Sequence, residues 1–351
     1  MSAALSRYET EDGVLYDKRR ARLLFYPRKK EEESFTLRPG TRSIAPLAFR
    51  GCENLVSLTM PDSVTDMGEQ CICQCPNLES VWISDQIRIL PSYIEDTNAV
   101  GVLSNNRKLT KVHLPKQLRL MGGNSFYNSS ISRLFLPEGL TYIGHYALAK
   151  NALQEIALPK SIQLLETGSL LGIKKVTAYE GTAKGLVRAI NISSENKKEW
   201  KSSWVTMLGE DGERKGLIYI PESDKPEDIL ELVAQAWDAL SFDYELYQEA
   251  YGLMKTGDEK IFMGLILLLY GGKEELRPIL KKSAKKAGQL LIELGDLPFF
   301  KAFLDQDILS KPSTTALLEE CNAKGDSGFV AYLMDYREKH VKARSFSRFD
   351  L

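Results

Sequence analysis

Three of the five cysteines lie within five residues, in the segment QCICQCPN, as Cys71, Cys73 and Cys75. Closely spaced thiolates are common metal ligands, but zinc sites usually separate paired ligands by about two to four residues and need a second pair. The sequence offers three histidines and no second cysteine pair. We therefore predict that these cysteines are reduced and bind no metal.

The sequence contains none of the common catalytic signatures. It lacks a phosphate loop, a dinucleotide-binding glycine fingerprint, a zinc-protease helix, a serine elbow and a kinase motif. The lysine-rich segment at 281–288 has acidic neighbours on both sides, which favours a solvated helical face over a nucleic-acid site. We predict no catalytic residues, no cofactor and no nucleic-acid partner. An enzyme with a site in the C-terminal half is a distant alternative.

Length and composition describe an ordinary globular chain. It has 351 residues, 43% of them hydrophobic, and a formal net charge of -1, and this length favours two domains. The longest apolar run, at 261–270, is about half of a membrane span, so we predict a buried helix and no membrane insertion. The N-terminus resembles no signal peptide, and an odd cysteine count argues against a stapled secreted fold. We expect a cytoplasmic protein, or an extracellular one if a leader has been removed.

A repeat of 22 or 23 residues organises the first half of the chain. One position, usually a proline after a short aliphatic strand, recurs at intervals of 23, 23, 31, 22 and 22 residues. Aliphatic residues follow it by three and six places, a small residue by ten, a large apolar residue by eleven, and Cys, Ser or Asn by fourteen. Ile94 is the exception in the small-residue column. The reference positions are Arg38, Pro61, Ser84, Pro115, Pro137 and Pro159.

So short a unit cannot bury its apolar face alone, and it must stack on its neighbours as a solenoid. Cys75 falls in the column fourteen places on, where a small polar side chain can satisfy the backbone of a turn, and Cys71 falls in the small-residue column. The repeat thus gives two of the clustered cysteines structural positions.

The segments SIAPLAFRGCENLVSLTMPDSV and YIGHYALAKNALQEIALPKSI resemble the BspA-type leucine-rich repeats, over about residues 34–179. Residues 13–37 resemble the hairpin cap of such arrays. The resemblance implies an α/β fold, a leucine-rich-repeat solenoid of six coils with one insert. It also implies binding of other molecules, often at a cell surface. The insert lengthens the third repeat by about eight residues, and around Asn98 to Asn106 it is either a tolerated surface loop or part of a binding face.

The second half changes character. Two strand-like runs around GEDGERK predict a hairpin, and helical spacing then begins near Pro226. Gly257, Gly295 and Gly325 should each close a helix, with the following Asp capping the next. Parts of this all-helical, repeat-like region loosely resemble ankyrin-type helix pairs, and an unrelated helical bundle is the alternative. The predicted divisions are a cap at 1–33, the solenoid at 34–190, a linker at 191–221, a helical domain at 222–342 and a tail at 343–351.

One column of the predicted solenoid sheet is aromatic. Alternation along the strands places Trp82, His113 and Phe135 outward in consecutive coils, with Lys111 and Arg133 two residues earlier in their strands. Exposed aromatic rings beside basic side chains have the composition of an interface hot spot. We predict that they form a continuous ridge that contacts a partner protein or is covered by the helical domain.

The favoured function is a non-enzymatic scaffold that binds another protein through its repeat surfaces. The alternative, which the BspA-type resemblance implies, is a surface or secreted adhesin-like protein.

Overall fold

A computed structural model describes residues 7–19, 21–92, 100–190, 202–221 and 227–346. The chain divides into two compact units, the first made of Met1–Lys215 with Ile220–Asp243 and the second of Gly216–Tyr219 with Tyr244–Leu351. The first unit contains the repeats and the second is mainly helical, which confirms the predicted fold class. The predicted domain boundaries remain predictions.

The first unit begins with an antiparallel hairpin, β1 (Tyr8–Glu11) and β2 (Val14–Asp17), followed by β3 (Arg22–Phe25). β3 then pairs in parallel with residues Ser43–Ile44, the strand that follows the first reference position.

Each coil of the solenoid contributes up to two short strands, and these form two sides of the stack. The strands just before a reference position are β4 (Ser34–Thr36), β6 (Ser57–Thr59), β8 (Ser80–Trp82), β10 (Lys111–His113) and β13 (Glu155–Ala157), and β15 (Lys175–Tyr179) follows the last coil and pairs in parallel with β13. The strands after it are β5 (Ser43–Ile44), β7 (Asp66–Met67), β9 (Ile89–Leu90), β11 (Leu120–Met121), β12 (Tyr142–Ile143) and β14 (Leu164–Leu165).

Two further strands follow, β16 (Ser203–Leu208) in the first unit and β17 (Arg214–Ile220), whose residues Gly216–Tyr219 are assigned to the second unit. We name the sheets by their strand orders: sheet A is β1-β2-β3-β5-β7, sheet B is β10-β8-β6-β4, sheet C is β14-β12-β11-β9, and sheet D is β13-β15-β16-β17.

The predicted columns form the core of the solenoid. Residues three, six and eleven places after the reference position are buried in every coil, once the insert is allowed for. In the long third coil the columns resume after eight extra residues, because Val102, Leu103 and Asn106 lie ten, eleven and fourteen places on. Ile94, the apparent exception, lies outside the described residues. The insert therefore lengthens one coil without shifting the stack.

Left-handed backbone closes two corners in most coils. The residues nine and thirteen places after the reference position have positive φ angles, a conformation that glycine and asparagine adopt most readily. These residues are Leu47, Gln70, Asn124, Tyr146 and Gly168 in the first set, and Gly51, Gln74, Asn105, Asn128, Lys150 and Gly172 in the second. Each such residue turns the chain sharply, which keeps the repeat short.

The solenoid ends at helix α1 (Leu186–Ile190), followed by the predicted hairpin of β16 and β17. The turn is closed by a bond of 2.8 Å from the Gly209 amide to the Glu213 carbonyl. Helix α2 (Glu227–Asp238) packs on this end within the first unit. The Trp237 indole donates to the Ala183 carbonyl at 3.2 Å, and the Asp238 carboxylate accepts the Gly185 amide at 2.9 Å.

The second unit consists of helices around an aromatic core. They are α3 (Tyr244–Leu253), α4 (Asp258–Leu269), a 3-10 turn (Glu274–Leu276), α5 (Arg277–Lys282), α6 (Ala284–Leu294), α7 (Leu297–Leu304), α8 (Lys311–Lys324) and α9 (Ser327–Phe346). Phe299, Phe300 and Phe303 are fully buried, and Phe329 packs edge-on against Phe300 at 5.0 Å.

The predicted helix-ending glycines are confirmed at Gly295 and Gly325, which end α6 and α8 in left-handed conformation. The predicted aspartate cap is confirmed at Asp296, whereas in the described residues Asp326 forms no side-chain cap bond. The prediction for Gly257 is wrong, because this residue lies four positions beyond the end of α3 and immediately precedes α4. None of the helices that the structure describes is long and apolar enough to cross a membrane.

Candidate partner-binding surface on the solenoid

Trp82 and His113 form a stacked pair on sheet B. They are register partners on the parallel strands β8 and β10, and alternation directs both side chains away from the core. Their ring centroids lie 3.8 Å apart with planes only 8° from parallel. Trp82 keeps 51% of its surface exposed, so a broad aromatic face remains open beside the imidazole.

A carboxylate holds the imidazole in this orientation. Asp85 Oδ1 lies 2.9 Å from His113 Nε2 and accepts the Lys116 amide at 3.2 Å, while Oδ2 lies 2.7 Å from Lys116 Nζ. The hydrogen bond from Lys116, aided by that from His113, lowers the pKa of Asp85 to about 2. The carboxylate is therefore ionised at neutral pH, and it favours the histidine form that carries a proton on Nε2.

Phe135 is not joined to this pair. It is 89% exposed, and within the described residues its ring stacks on no other aromatic ring. The alternation predicted a strand at 133–135, but residues 131–137 form none, and sheet B ends at β10. The predicted continuous ridge is therefore a pair of stacked rings with a separate phenylalanine.

The two residues of the predicted basic flank lie at the surface. Lys111 and Arg133 are both exposed, and neither forms an ion pair with an acidic side chain in the part of the chain that the structure describes. In the next coil the same row carries Glu155, which is also exposed. We define the candidate surface as Trp82, His113, Lys111, Arg133 and Phe135.

The three clustered cysteines lie in the packed interior of the solenoid. All three are buried, and the Cys75 thiol lies 3.0 Å from the Phe49 carbonyl of the preceding coil, in the backbone-capping role predicted for its column. Burial raises the pKa of Cys73 to about 11 and that of Cys71 further still, so both thiols stay protonated at neutral pH. Among the described residues no group of three His, Cys, Asp or Glu side chains is placed to hold a metal ion.

The insert is the second candidate region. Part of it lies in the solenoid core, and part lies outside the described residues. Asn98 lies outside the described residues, whereas Ser104 and Asn106 are fully buried. Asn106 accepts the Cys75 amide at 2.8 Å and donates to the Ile72 and Leu103 carbonyls at 2.8 Å each. The end of the predicted loop is thus part of the solenoid core, because the polar column resumes there.

Sequence reasoning missed two features. Asp85 and Lys116, each one place after a reference position, hold His113, and a scan of that column for opposite charges could have found them. A second row of mainly exposed apolar side chains lies along sheet C. It is formed by the residues five places after each reference position, a column that the sequence pattern above does not include. Its register partners in successive coils are Ile89, Leu120, Tyr142 and Leu164. Ile89 is 53% exposed.

The sequence pattern of the family described as "BspA type Leucine rich repeat region" matches this chain in six copies, over residues 24–95 and 101–182. No curated protein matches the chain. The match ends before the helical unit, whose resemblance to ankyrin-type repeats remains a prediction.

Solved bacterial structures also match part of the chain. A leucine-rich repeat protein from Bacteroides ovatus is 25% identical, with a TM-score of 0.35 over 40% of this chain and 36% of that one. A leucine-rich cell surface protein from Faecalibacterium prausnitzii is 19% identical, with a TM-score of 0.27 over 54% of this chain and 40% of that one. The pneumococcal vaccine antigen PcpA is 19% identical, with a TM-score of 0.30 over 50% of this chain and 38% of that one.

The chain therefore spans only 36% to 40% of the lengths of these three proteins. The matched residues span the stacked coils, and they include the strands that carry Trp82 and His113. Residues 24–95 and 101–182 belong to the BspA-type leucine-rich repeat family.

Proposed function

We propose that this protein is a non-enzymatic binding scaffold that contacts another protein through the candidate surface on sheet B. The observation that carries the proposal is the exposed Trp82 ring, held flat against His113 by the Asp85 network. Stacked repeats supply an extended surface for partners, and rigid aromatic side chains dominate binding energies at such surfaces.

The size of the exposed ring sets the expected effect. A tryptophan buries up to about 250 Å², and Trp82 has 51% of its surface exposed. Covering the exposed half removes about 120 Å² from water, worth roughly 3 kcal/mol at about 25 cal/mol per Å². Part of this gain is offset by ordering of the partner's side chains.

The experiment is a substitution of Trp82 by alanine in the full chain. A pull-down from the cells that make the protein, with mass spectrometry, identifies the partner, and calorimetry measures its affinity. Trp82→Ala should weaken binding by about tenfold or more, since a buried anchor ring contributes above about 1.4 kcal/mol. The melting temperature should change little, because the ring rests on the surface.

Phe25→Ala is the matched control, because Phe25 is a ring of similar exposure, 46%, on strand β3 outside the candidate surface. It should leave the affinity unchanged. Equal losses from both variants would contradict the proposal. If Trp82→Ala instead lowers the melting temperature sharply and isolated halves of the chain associate through this surface, the surface is an internal domain contact.

A surface or secreted adhesin-like role is the second candidate, and it is favoured by the family match, since BspA-type repeats suggest protein interaction or surface binding. The cytoplasmic location stays a prediction. Fractionation of the native cells with an antibody against the chain separates the two roles, because only an adhesin is accessible outside the cell.

A further inference from the structure

Sheet B stops where the next coil should continue it. Where the strands of neighbouring coils pair, which we call an intact step, backbone hydrogen bonds join the two coils at both ends of the strand. Between β8 and β10 the Ile83 amide donates to the His113 carbonyl at 3.2 Å, and the Lys111 amide donates to the Glu79 carbonyl at 3.1 Å. The equivalent donors at the next step are the amides of Leu114 and Arg133. Neither forms its bond, and within the described chain no backbone hydrogen bond involves residues 132–136.

Burial shows the same opening. At the intact steps, Leu58 and Val81 point into the core with only 1% and 2% of their surfaces exposed. The equivalent Val112 on β10 is partly exposed, and the equivalent Leu134 in the open coil is 8% exposed. The core is therefore less tightly covered at this step. Sheet C meanwhile stays continuous from β11 to β12, so the two coils remain stacked on the other side.

Charge opposes pairing between β10 and the next coil. Lys111 and Arg133 occupy the same row of adjacent coils, and paired strands would hold them about 4.8 Å apart. Like charges directly opposite each other destabilise strand pairing. The step from residues 133–135 to β13 is also unpaired, although Arg133 there faces Glu155, so like charge opposes pairing at the first step only.

We propose that an extended, acidic segment of the partner protein docks at this open step as an added β-strand. Unpaired amides and carbonyls along a strand edge recognise the backbone of another extended chain. A carboxylate of the added strand in the same row would lie between Lys111 and Arg133 and neutralise both, and Phe135 would cover the neighbouring apolar side chains. This inference rests on the proposed function, because it assigns the partner's chemistry on the same surface.

The probe is a blocked peptide of about six residues, the usual strand length, alternating glutamate and valine. It is titrated into the full chain while amide chemical shifts are recorded. Binding should shift the amides of Leu114, Arg133 and Phe135. A peptide N-methylated at alternate residues should bind about tenfold more weakly or worse, because it cannot complete the ladder.

Arg133→Glu should weaken binding of the glutamate peptide about tenfold and favour a lysine–valine peptide instead. Lys108→Glu, an equally exposed charge change in the preceding coil outside the row, is the control and should alter neither.

Absence of binding at about 1 mM, the weak end of measurable affinity, would overturn the inference. So would equal binding of the N-methylated peptide. The N-methylated peptide could bind as tightly as the unmethylated one and lose its binding in Trp82→Ala. The surface would then recognise side chains, so the proposed function would stand and the added strand would be rejected. If a partner identified by pull-down ignores Trp82→Ala, the proposed function itself fails.

Discussion

Asn106 bonds with its side chain to backbone groups of two successive coils, at Ile72, Cys75 and Leu103. Asn106→Ala should lower the free energy of unfolding of the first unit by about 3 kcal/mol, because three buried backbone groups lose their partner. Tryptophan fluorescence in a denaturant titration measures this.

Ser129 is the matched control, since it lies in the same column of the next coil. Its buried hydroxyl has no hydrogen-bond partner among the described residues. Ser129→Ala should therefore be neutral or stabilise by up to about 1 kcal/mol. A large loss from Ser129→Ala, or none from Asn106→Ala, would contradict this account of the column.

Asp85 makes stability depend on pH. Its pKa is lowered to about 2 in the folded protein, mainly by the hydrogen bond from Lys116. A carboxyl with a depressed folded-state pKa stabilises the fold above its unfolded pKa of about 4, and this stability is lost as the pH falls toward 2. We expect about 1 kcal/mol once solvent screening is allowed for.

The comparison is between the wild type and Asp85→Asn, whose amide keeps the size but not the charge. The difference in unfolding free energy should be constant from neutral pH down to about 5 and shrink below about 4. A difference that persists unchanged to pH 2 would show that Asp85 acts through shape alone.

At the level of elements, the turn between α6 and α7 offers a clear test. Gly295 ends α6 with φ 76°, and the Asp296 carboxylate accepts the Phe299 amide at 2.9 Å as the N-cap of α7. Asp296→Ala should destabilise the second unit by about 1 kcal/mol, the usual value of such a cap. Helical circular dichroism follows this unfolding.

Two controls accompany it. Asp326→Ala, at the corresponding turn before α9, should cost only a few tenths of a kcal/mol, because no side-chain cap bond from Asp326 is present in the described residues. Tryptophan fluorescence should not move, since all four tryptophans belong to the first unit. Equal losses from both variants would reject the cap assignment.

Strands and helices were predictable from the sequence where a single repeated pattern of residue types determines them. The solenoid follows from its columns, because each column residue meets the same neighbours in every coil. The strand at 133–135 was predicted wrongly, since alternation reports which face is buried but not whether the neighbouring edge pairs. Within the predicted helical region, α5 and α6 are separated at Ser283, whose amide donates to the Leu280 and Lys281 carbonyls. Periodicity does not register such a local change of hydrogen bonding.

For the whole molecule, the five buried cysteines report on both units. Cys52, Cys71, Cys73 and Cys75 lie in the first unit and Cys321 in the second. Native protein should react with a thiol reagent very slowly, because burial restricts access and raises the pKa of Cys71 and Cys73. All five should react after unfolding in denaturant, as counted by mass spectrometry.

Rapid labelling of any one cysteine in the native protein would contradict this burial. Stoichiometric zinc in protein purified without added metal would overturn the metal-free assignment. At intermediate denaturant, labelling of four cysteines without the fifth, or the reverse, would show that one unit opens before the other.

The candidate surface was predictable in its members and not in its arrangement. Outward positions follow from strand alternation, and the structure stacks Trp82 on His113 as adjacent register partners. The part played by Asp85 was not foreseen, because it depends on side-chain bonds across a turn. Phe135 stands apart because pairing fails in its own coil, which no single row of the sequence reveals.

The extra residues of the third coil separate coil length from stacking order. Val102, Leu103 and Asn106 resume their columns after them, so one coil is longer while the coils on either side keep their layers. The extra length is added between Ser92 and Val102, around the ninth column, where the other five coils have a left-handed residue. One corner of a coil can therefore take up added chain without passing the change on to the coils beyond it.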